Sequence, residues 1–253
     1  MKSFYIKELN KGFICLNKSG SLLLLNTFYD FSHYKGYTIT DGLNDTNEDT
    51  ELFIFVRNPI ERLKTSFSWF LGYENFCKEF YETYDNYNPI DMFTMDNFKK
   101  FINRQSEIYK LKDYHFLPQK YDICNVPYSK EFTITDELIK TTYPNYQIIK
   151  LEEFSEELFK SMSANYKKLR LGVNHTEEMD SVVDYVFLNS LNLSELKLFT
   201  SLYLYNKTIL DTHHHSNKVI DIDNNLEKKI FFMLEDEYNL YGYETKEYFK
   251  RLI

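Results

Sequence analysis

The sequence predicts an α/β fold with a central parallel sheet flanked by helices, and three features point there. Apolar runs of strand length, Phe13-Ile14-Cys15-Leu16, Leu52-Phe53-Ile54-Phe55-Val56 and Tyr146 to Leu151, alternate with segments of helical periodicity. The 52–56 run is continuously apolar and β-prone, the pattern of a central strand covered on both faces. Arg57 and Asn58 then fall at the carboxyl end of that strand and just before a helix, which is where open α/β sheets bind ligands.

In chain order, the 13–16 run enters the polar turn Asn17-Lys18-Ser19-Gly20-Ser21, and Leu22 to Phe28 continues as a buried helix. Tyr37 to Thr40 predicts another strand. After the 52–56 strand, Pro59 suits a first helical turn, and Leu63, Phe67, Phe70 and Leu71 recur at helical spacing. Thr94 to Ile102 predicts a capped amphipathic helix, and Ser155 with Glu156 and Glu157 opens another. Ser194 caps a helix to about Leu210, and Asn224 with Glu227 resembles a capping box ahead of Ile230, Met233 and Leu234. No repeat, linker or composition shift divides the chain, so residues 1–253 are expected to form a single domain.

Composition narrows the function classes. A hydrophobic fraction of 43% excludes a disordered chain, and no run of about 18 apolar residues suggests a membrane span. The first ten residues lack the apolar stretch of a signal peptide, so a cytoplasmic location is expected. A net charge of −8 argues against nucleic acid as a partner and requires any anion site to be local. Cys15, Cys77 and Cys124 are odd in number and widely spaced, which suits free thiols rather than disulfides or zinc. His213, His214 and His215 are consecutive, cannot all face one point of a regular element, and have no Asp/Glu ligand pattern beside them; no metal is expected.

Two segments carry the chemistry. In the turn at 17–21, Gly20 permits close backbone approach, Ser19 and Ser21 offer hydroxyls, Lys18 offers a charge, and the following helix offers unpaired N–H groups. The lysine precedes the glycine, so this is not the G-x-x-x-x-G-K-[ST] loop, and alone the segment also fits an ordinary polar turn with a surface lysine. The second segment, Val56-Arg57-Asn58-Pro59-Ile60-Glu61-Arg62-Leu63-Lys64-Thr65-Ser66, is more specific. Arg57 leaves a buried strand, Thr65 and Ser66 lie two turns into the helix, and an arginine fork with a hydroxyl suits one phosphate. Arg62 is expected either to pair with carboxylates or to support the loop.

These segments resemble the sulfotransferase superfamily, and the second is most similar to its carbohydrate-sulfotransferase branch. The first matches the P-K-[ST]-G-[TS]-[TS] turn through Lys18, Ser19, Gly20 and Ser21; the second matches V-R-[DN]-P-x-E-R-L-x-S, with Arg57 and Thr65 in the phosphate-binding places and Ser66 beside them. Asn17 stands where the family has proline, and Leu22 where it has a hydroxyl that would donate to the 5′-phosphate. Asp113-Tyr114-His115-Phe116-Leu117-Pro118-Gln119 resembles D-x-H-x-x-P-Q, and the segments ending at Glu152 and at Tyr243 resemble the family's later strand and terminus.

The resemblance implies a P-loop-like three-layer fold and a donor, 3′-phosphoadenosine 5′-phosphosulfate (PAPS), that leaves as adenosine 3′,5′-bisphosphate (PAP). Lys18, Ser19, Gly20 and Ser21 would hold the 5′-phosphosulfate, and Arg57 with Thr65 and Ser66 the 3′-phosphate. The acceptor would be a hydroxyl, best a glycan's, and no metal is needed. His115 is the candidate base, with a structural histidine or a carboxylate such as Glu152 as the alternatives. Ser216 and Lys218 would close over the donor. Competing readings are a P-loop nucleotide kinase, which would show magnesium-dependent ATP turnover, and a non-catalytic nucleotide- or glycan-binding relative, which Leu22 keeps open.

Overall fold

A computed structural model describes residues 2–71, 95–103, 117–124, 134–153, 191–213 and 222–243. Strands β1 (Lys2–Ile6), β2 (Lys11–Cys15), β3 (Ile39–Asp41), β4 (Glu51–Val56) and β5 (Tyr146–Lys150) form one sheet in the order β3-β1-β2-β4-β5. β2, β4 and β5 run parallel, while β1 pairs antiparallel with both β2 and β3. The predicted parallel sheet is thus the centre of a mixed one. The correction has a simple cause: β1 and β2 are joined only by a tight turn from Lys7 to Asn10, closed by the Asn10 N–H on the Lys7 carbonyl at 3.1 Å. So short a connection permits only an antiparallel neighbour, whereas parallel strands need a crossover of a dozen or more residues.

The helices among the described residues are α1 (Ser21–Lys35), α2 (Pro59–Leu71), α3 (Met95–Asn103), α4 (Gln119–Cys124), α5 (Asp136–Thr142), α6 (Leu193–His213) and α7 (Asn224–Leu240). α1 supplies part of the crossover from β2 to β4. It ends at Gly36, whose φ of 67° lets the Tyr37 N–H reach the Ser32 carbonyl at 2.8 Å. α2 begins at Pro59 as expected, with the Asn58 side chain accepting the Ile60 N–H at 3.0 Å. Two caps differ from expectation. Asn192, not Ser194, caps α6, accepting the Ser194 and Glu195 N–H groups while Glu195 accepts the Asn192 N–H. Asp223, not Asn224, caps α7 by accepting the Leu226 N–H at 2.8 Å. In each case the true cap is a neighbouring Asx residue whose carbonyl or carboxylate oxygen reaches the same orphan donors.

Strand alternation assigns each residue to a face. Phe4, Phe13, Cys15, Phe53 and Phe55 pack under α1 and α6 with Leu24, Phe28, Phe31 and Phe199. Phe13 and Phe28 approach to 4.2 Å between ring centroids. Ile14, Leu16, Ile54 and Val56 point the other way, onto Leu117, Tyr121 and Ile123 of the α4 region, Ile139 of α5 and Tyr241 after α7. Both faces of β2 and β4 are therefore covered, and each fully buried Phe or Ile contributes about 1.5–3 kcal/mol relative to exposure. That anchors the strand ends from which the functional turns project. Cys15 and Cys124 are free thiols, and burial raises the pKa of both. No helix among the described residues is long and apolar enough to cross a membrane.

Candidate anion-binding site

β2 and β4 are parallel neighbours with Cys15 opposite Phe55, so the turns leaving their carboxyl ends emerge side by side. In the first turn, Lys18 (φ 63°) and Gly20 (φ 71°) are left-handed on either side of Ser19, and the Ser19 N–H closes onto the Leu16 carbonyl at 3.1 Å. Gly20 is the N-cap residue of α1 and has no side chain with which to cap the helix. The first-turn N–H groups of Ser21, Leu22 and Leu23 therefore lack an intrahelical acceptor and sit at the positive end of the helix dipole. Leu22 is 42% exposed at this edge.

Gly20 is held to glycine twice over. Its φ is positive, and an added Cβ would lie 2.9 Å from Leu151 Cδ2, the residue that follows β5. Gly20→Ala is expected to lower stability by about 1–2 kcal/mol from backbone strain, with a further loss as Leu151 is displaced, measured by urea unfolding.

The second turn brings the predicted pair together. Arg57 Nη1 donates to Thr65 Oγ1 at 2.7 Å and to the Lys18 carbonyl at 3.4 Å. Thr65 donates its own hydrogen to the Glu61 carbonyl at 2.9 Å, which leaves its lone pairs facing the guanidinium. Among the described residues no carboxylate pairs with Arg57. Its charge lies beside the first turn, through the bond to the Lys18 carbonyl.

Two other candidates serve the framework. Ser19 is fully buried and its hydroxyl donates to Gln119 Oε1 at 2.9 Å. Ser66 is fully buried and donates to the Arg62 carbonyl at 2.9 Å. Ser21 is partly exposed in the first turn of α1. His115 lies outside the described residues, as do Cys77, His214, His215, Ser216, Lys218 and the helix predicted from Ser155; His213 is the last residue of α6.

Beneath the turns lies a buried polar layer. Arg62 is 2% exposed. Its Nε donates to the Asn17 carbonyl at 3.0 Å and its Nη1 to the Leu117 carbonyl at 2.7 Å, so it supports the first turn from below. The buried Asp122 accepts the Asn17 N–H at 3.0 Å. Gln119 accepts from Ser19 and also brackets the Arg57 backbone, accepting its N–H at 2.9 Å and donating to its carbonyl at 2.8 Å. Glu237 arrives from α7, beyond a break at Leu234, and accepts the Lys120 N–H at 3.1 Å. Burial pushes the Glu237 carboxyl up, while the attraction of Arg62 and Lys120 pulls it back. Glu152 has both carboxylate oxygens engaged, one by the Asn58 N–H at 2.8 Å and one by the Tyr243 hydroxyl at 2.9 Å, so it ties β5 and the segment after α7 to the turn. Arg62 thus takes the loop-supporting role that was one of the two expected of it, while Gln119, Asp122 and Glu237 carried no sign of burial in the sequence.

A surface cavity of about 720 Å³ lies at the opposite end of the sheet, between Leu43, Asn47, Leu52, Tyr143 and Asn145, and takes in none of the turn residues. Among the described residues no cluster of His, Cys, Asp or Glu is arranged for a metal ion.

Fold and site together define an α/β protein with two cationic strand-end turns set side by side at the start of α1. Comparison with protein-family models, curated proteins and solved structures finds no match to the chain.

Proposed function

We propose that this chain is a sulfotransferase with a P-loop-like arrangement, moving the sulfuryl group of PAPS to an acceptor hydroxyl, with a carbohydrate as the favoured acceptor class. The observation that carries this reading is the meeting of Arg57, Thr65 and the Lys18 turn beside the first-turn N–H groups of α1. Two anion positions result, one at the helix terminus and one at the guanidinium, which suits a ligand with two phosphate-like groups. The acceptor class rests on the resemblance of the Arg57 segment to the carbohydrate branch.

In the proposed reaction the acceptor oxygen bonds to sulfur as the bond from sulfur to the bridging phosphate oxygen breaks. The electron pair leaves with the bisphosphate. The acceptor proton passes to a base, for which His115 is the candidate. Lys18 and the N–H groups around Gly20 and Ser21 stabilise the charge that develops on the departing phosphate, and Arg57, aligned by Thr65, holds the 3′-phosphate. No step calls for a metal ion.

Calorimetric titration with PAP, with ADP alongside, tests the donor site. Wild-type protein is expected to prefer PAP, and Arg57→Ala to lose about 10- to 100-fold of that affinity, the size of one or two charge-assisted hydrogen bonds. Equal binding of ADP would favour the nucleotide-kinase reading. Donor binding without transfer to any acceptor would favour a non-catalytic relative, the reading that exposed Leu22 supports.

A further inference from the structure

The Gln119 side chain bonds to both anion turns. It is fully buried at the start of α4. Its Oε1 accepts from the Ser19 hydroxyl in the first turn and from the Arg57 N–H in the second, both at 2.9 Å. Its Nε2 donates to the Arg57 carbonyl at 2.8 Å. Arg57 lies one residue beyond β4, where the ladder to β5 has ended at the Val56–Lys150 pair. The carboxamide thus bonds the Arg57 backbone as a neighbouring strand would, through one donor and one acceptor on the same residue. Those two backbone bonds also settle which end of the amide is oxygen, and the oxygen then faces Ser19. Gln119 further favours the ionised form of Glu237, which connects it to the Arg62 layer below.

We propose that Gln119 is a positioning residue that couples the two turns, fixing the separation between the N–H groups of the first turn and the Arg57 guanidinium. The inference rests on the donor-site reading, because that separation matters for a ligand that spans both positions. Filling one turn then sets the other, and a ligand with both phosphates binds more tightly than its single-phosphate halves imply.

The test compares PAP, adenosine 5′-monophosphate, adenosine 3′-monophosphate and adenosine in wild-type protein and in Gln119→Leu, which keeps similar bulk without the amide. The four affinities define a coupling factor between the phosphates. It is expected to exceed unity in the wild type and to fall about tenfold in Gln119→Leu, with the single-phosphate affinities little changed. Gln119→Glu retains the acceptors for Ser19 and the Arg57 N–H but loses the donor to the Arg57 carbonyl, and is expected to fall between the two. Hydrogen exchange without ligand gives a second readout: in either variant, residues 16–21 and 57–62 should lose protection together while β1 and α6 keep theirs.

A coupling factor equal to that of the wild type, or an equal loss for all four ligands, overturns the coupling role even if PAP binds. Loss of protection in only one turn overturns it as well. If wild-type protein binds no PAP, the donor-site reading fails, and the exchange experiment still decides whether Gln119 joins the turns.

Discussion

Replacing Arg62 by alanine is expected to destabilise the fold by about 3–5 kcal/mol, the range for breaking a buried ionic group by removing one partner. The guanidinium is 2% exposed and bonds two carbonyls, those of Asn17 and Leu117, from segments distant in sequence. Without it the buried Leu117 carbonyl and the half-buried Asn17 carbonyl both lose their donor, and Glu237 loses the first of the charges that offset its burial. Lysine should not restore stability, because a single ammonium cannot reproduce a fork bonded through Nε and Nη1. Urea unfolding measures the loss. A further change of Glu237 to leucine in the Arg62→Ala background should recover part of it by removing the stranded carboxylate. Stability unchanged by Arg62→Ala would show that the buried layer does not hold the first turn in place.

Lysine 18 carries the second large effect. Lys18→Ala is expected to lower turnover about 10²–10³-fold, the usual cost of removing one preorganised group that meets charge developing in the transition state. The backbone at Lys18 is left-handed, at φ 63°, and alanine in its place meets a similar steric penalty, so the substitution changes the side chain more than the turn. The fold should survive and PAP affinity should fall much less than turnover, because the departing charge is greatest in the transition state. The readout is release of PAP from PAPS in the presence of a panel of simple glycans, with PAP titrated in parallel. Equal losses in turnover and PAP affinity would assign Lys18 to ground-state binding alone.

Those two residues mark the limit of what could be read from the chain. Lys18, Gly20, Arg57 and Thr65 were legible because each lies within a few residues of a strand end, and strand-turn-helix punctuation is local. The β4 strand and the start of α2 were legible for the same reason: a continuous apolar run, then proline. β1 was not, because Lys2–Ile6 is short and buries Tyr5 along with Phe4 and Ile6, which blurs a period-two pattern. The caps of α6 and α7 were off by one or two positions because several adjacent Asx and Ser residues can reach the same N–H groups.

Asn17 shows how a local departure acquires meaning only in three dimensions. A proline there would have no N–H, whereas the Asn17 N–H is held by Asp122 and its carbonyl by Arg62. The turn that a proline ring would stiffen is here clamped from both sides by buried charge. Similarly, Ser19 and Ser66 look like ligand hydroxyls in the motif, yet burial directs both to the framework.

By itself the sequence determined the α/β class, the two strand-end turns and the residues that present cationic charge there, because all of these follow from hydrophobic period, turn chemistry and the order of residues along one stretch of chain. Only the tertiary structure decided that the sheet is mixed, that Arg57 is aligned by Thr65 and left without a carboxylate among the described residues, and that Gln119, Arg62, Asp122 and Glu237 form a single buried layer beneath both turns. Those partners come from segments 45 to 117 positions apart in bonded pairs such as Arg62–Asn17 (|i−j| = 45) and Lys120–Glu237 (|i−j| = 117). A polar side chain carries no local mark of a partner so remote; whether it faces water or a buried carbonyl is settled when the segments pack and every enclosed donor and acceptor must be matched.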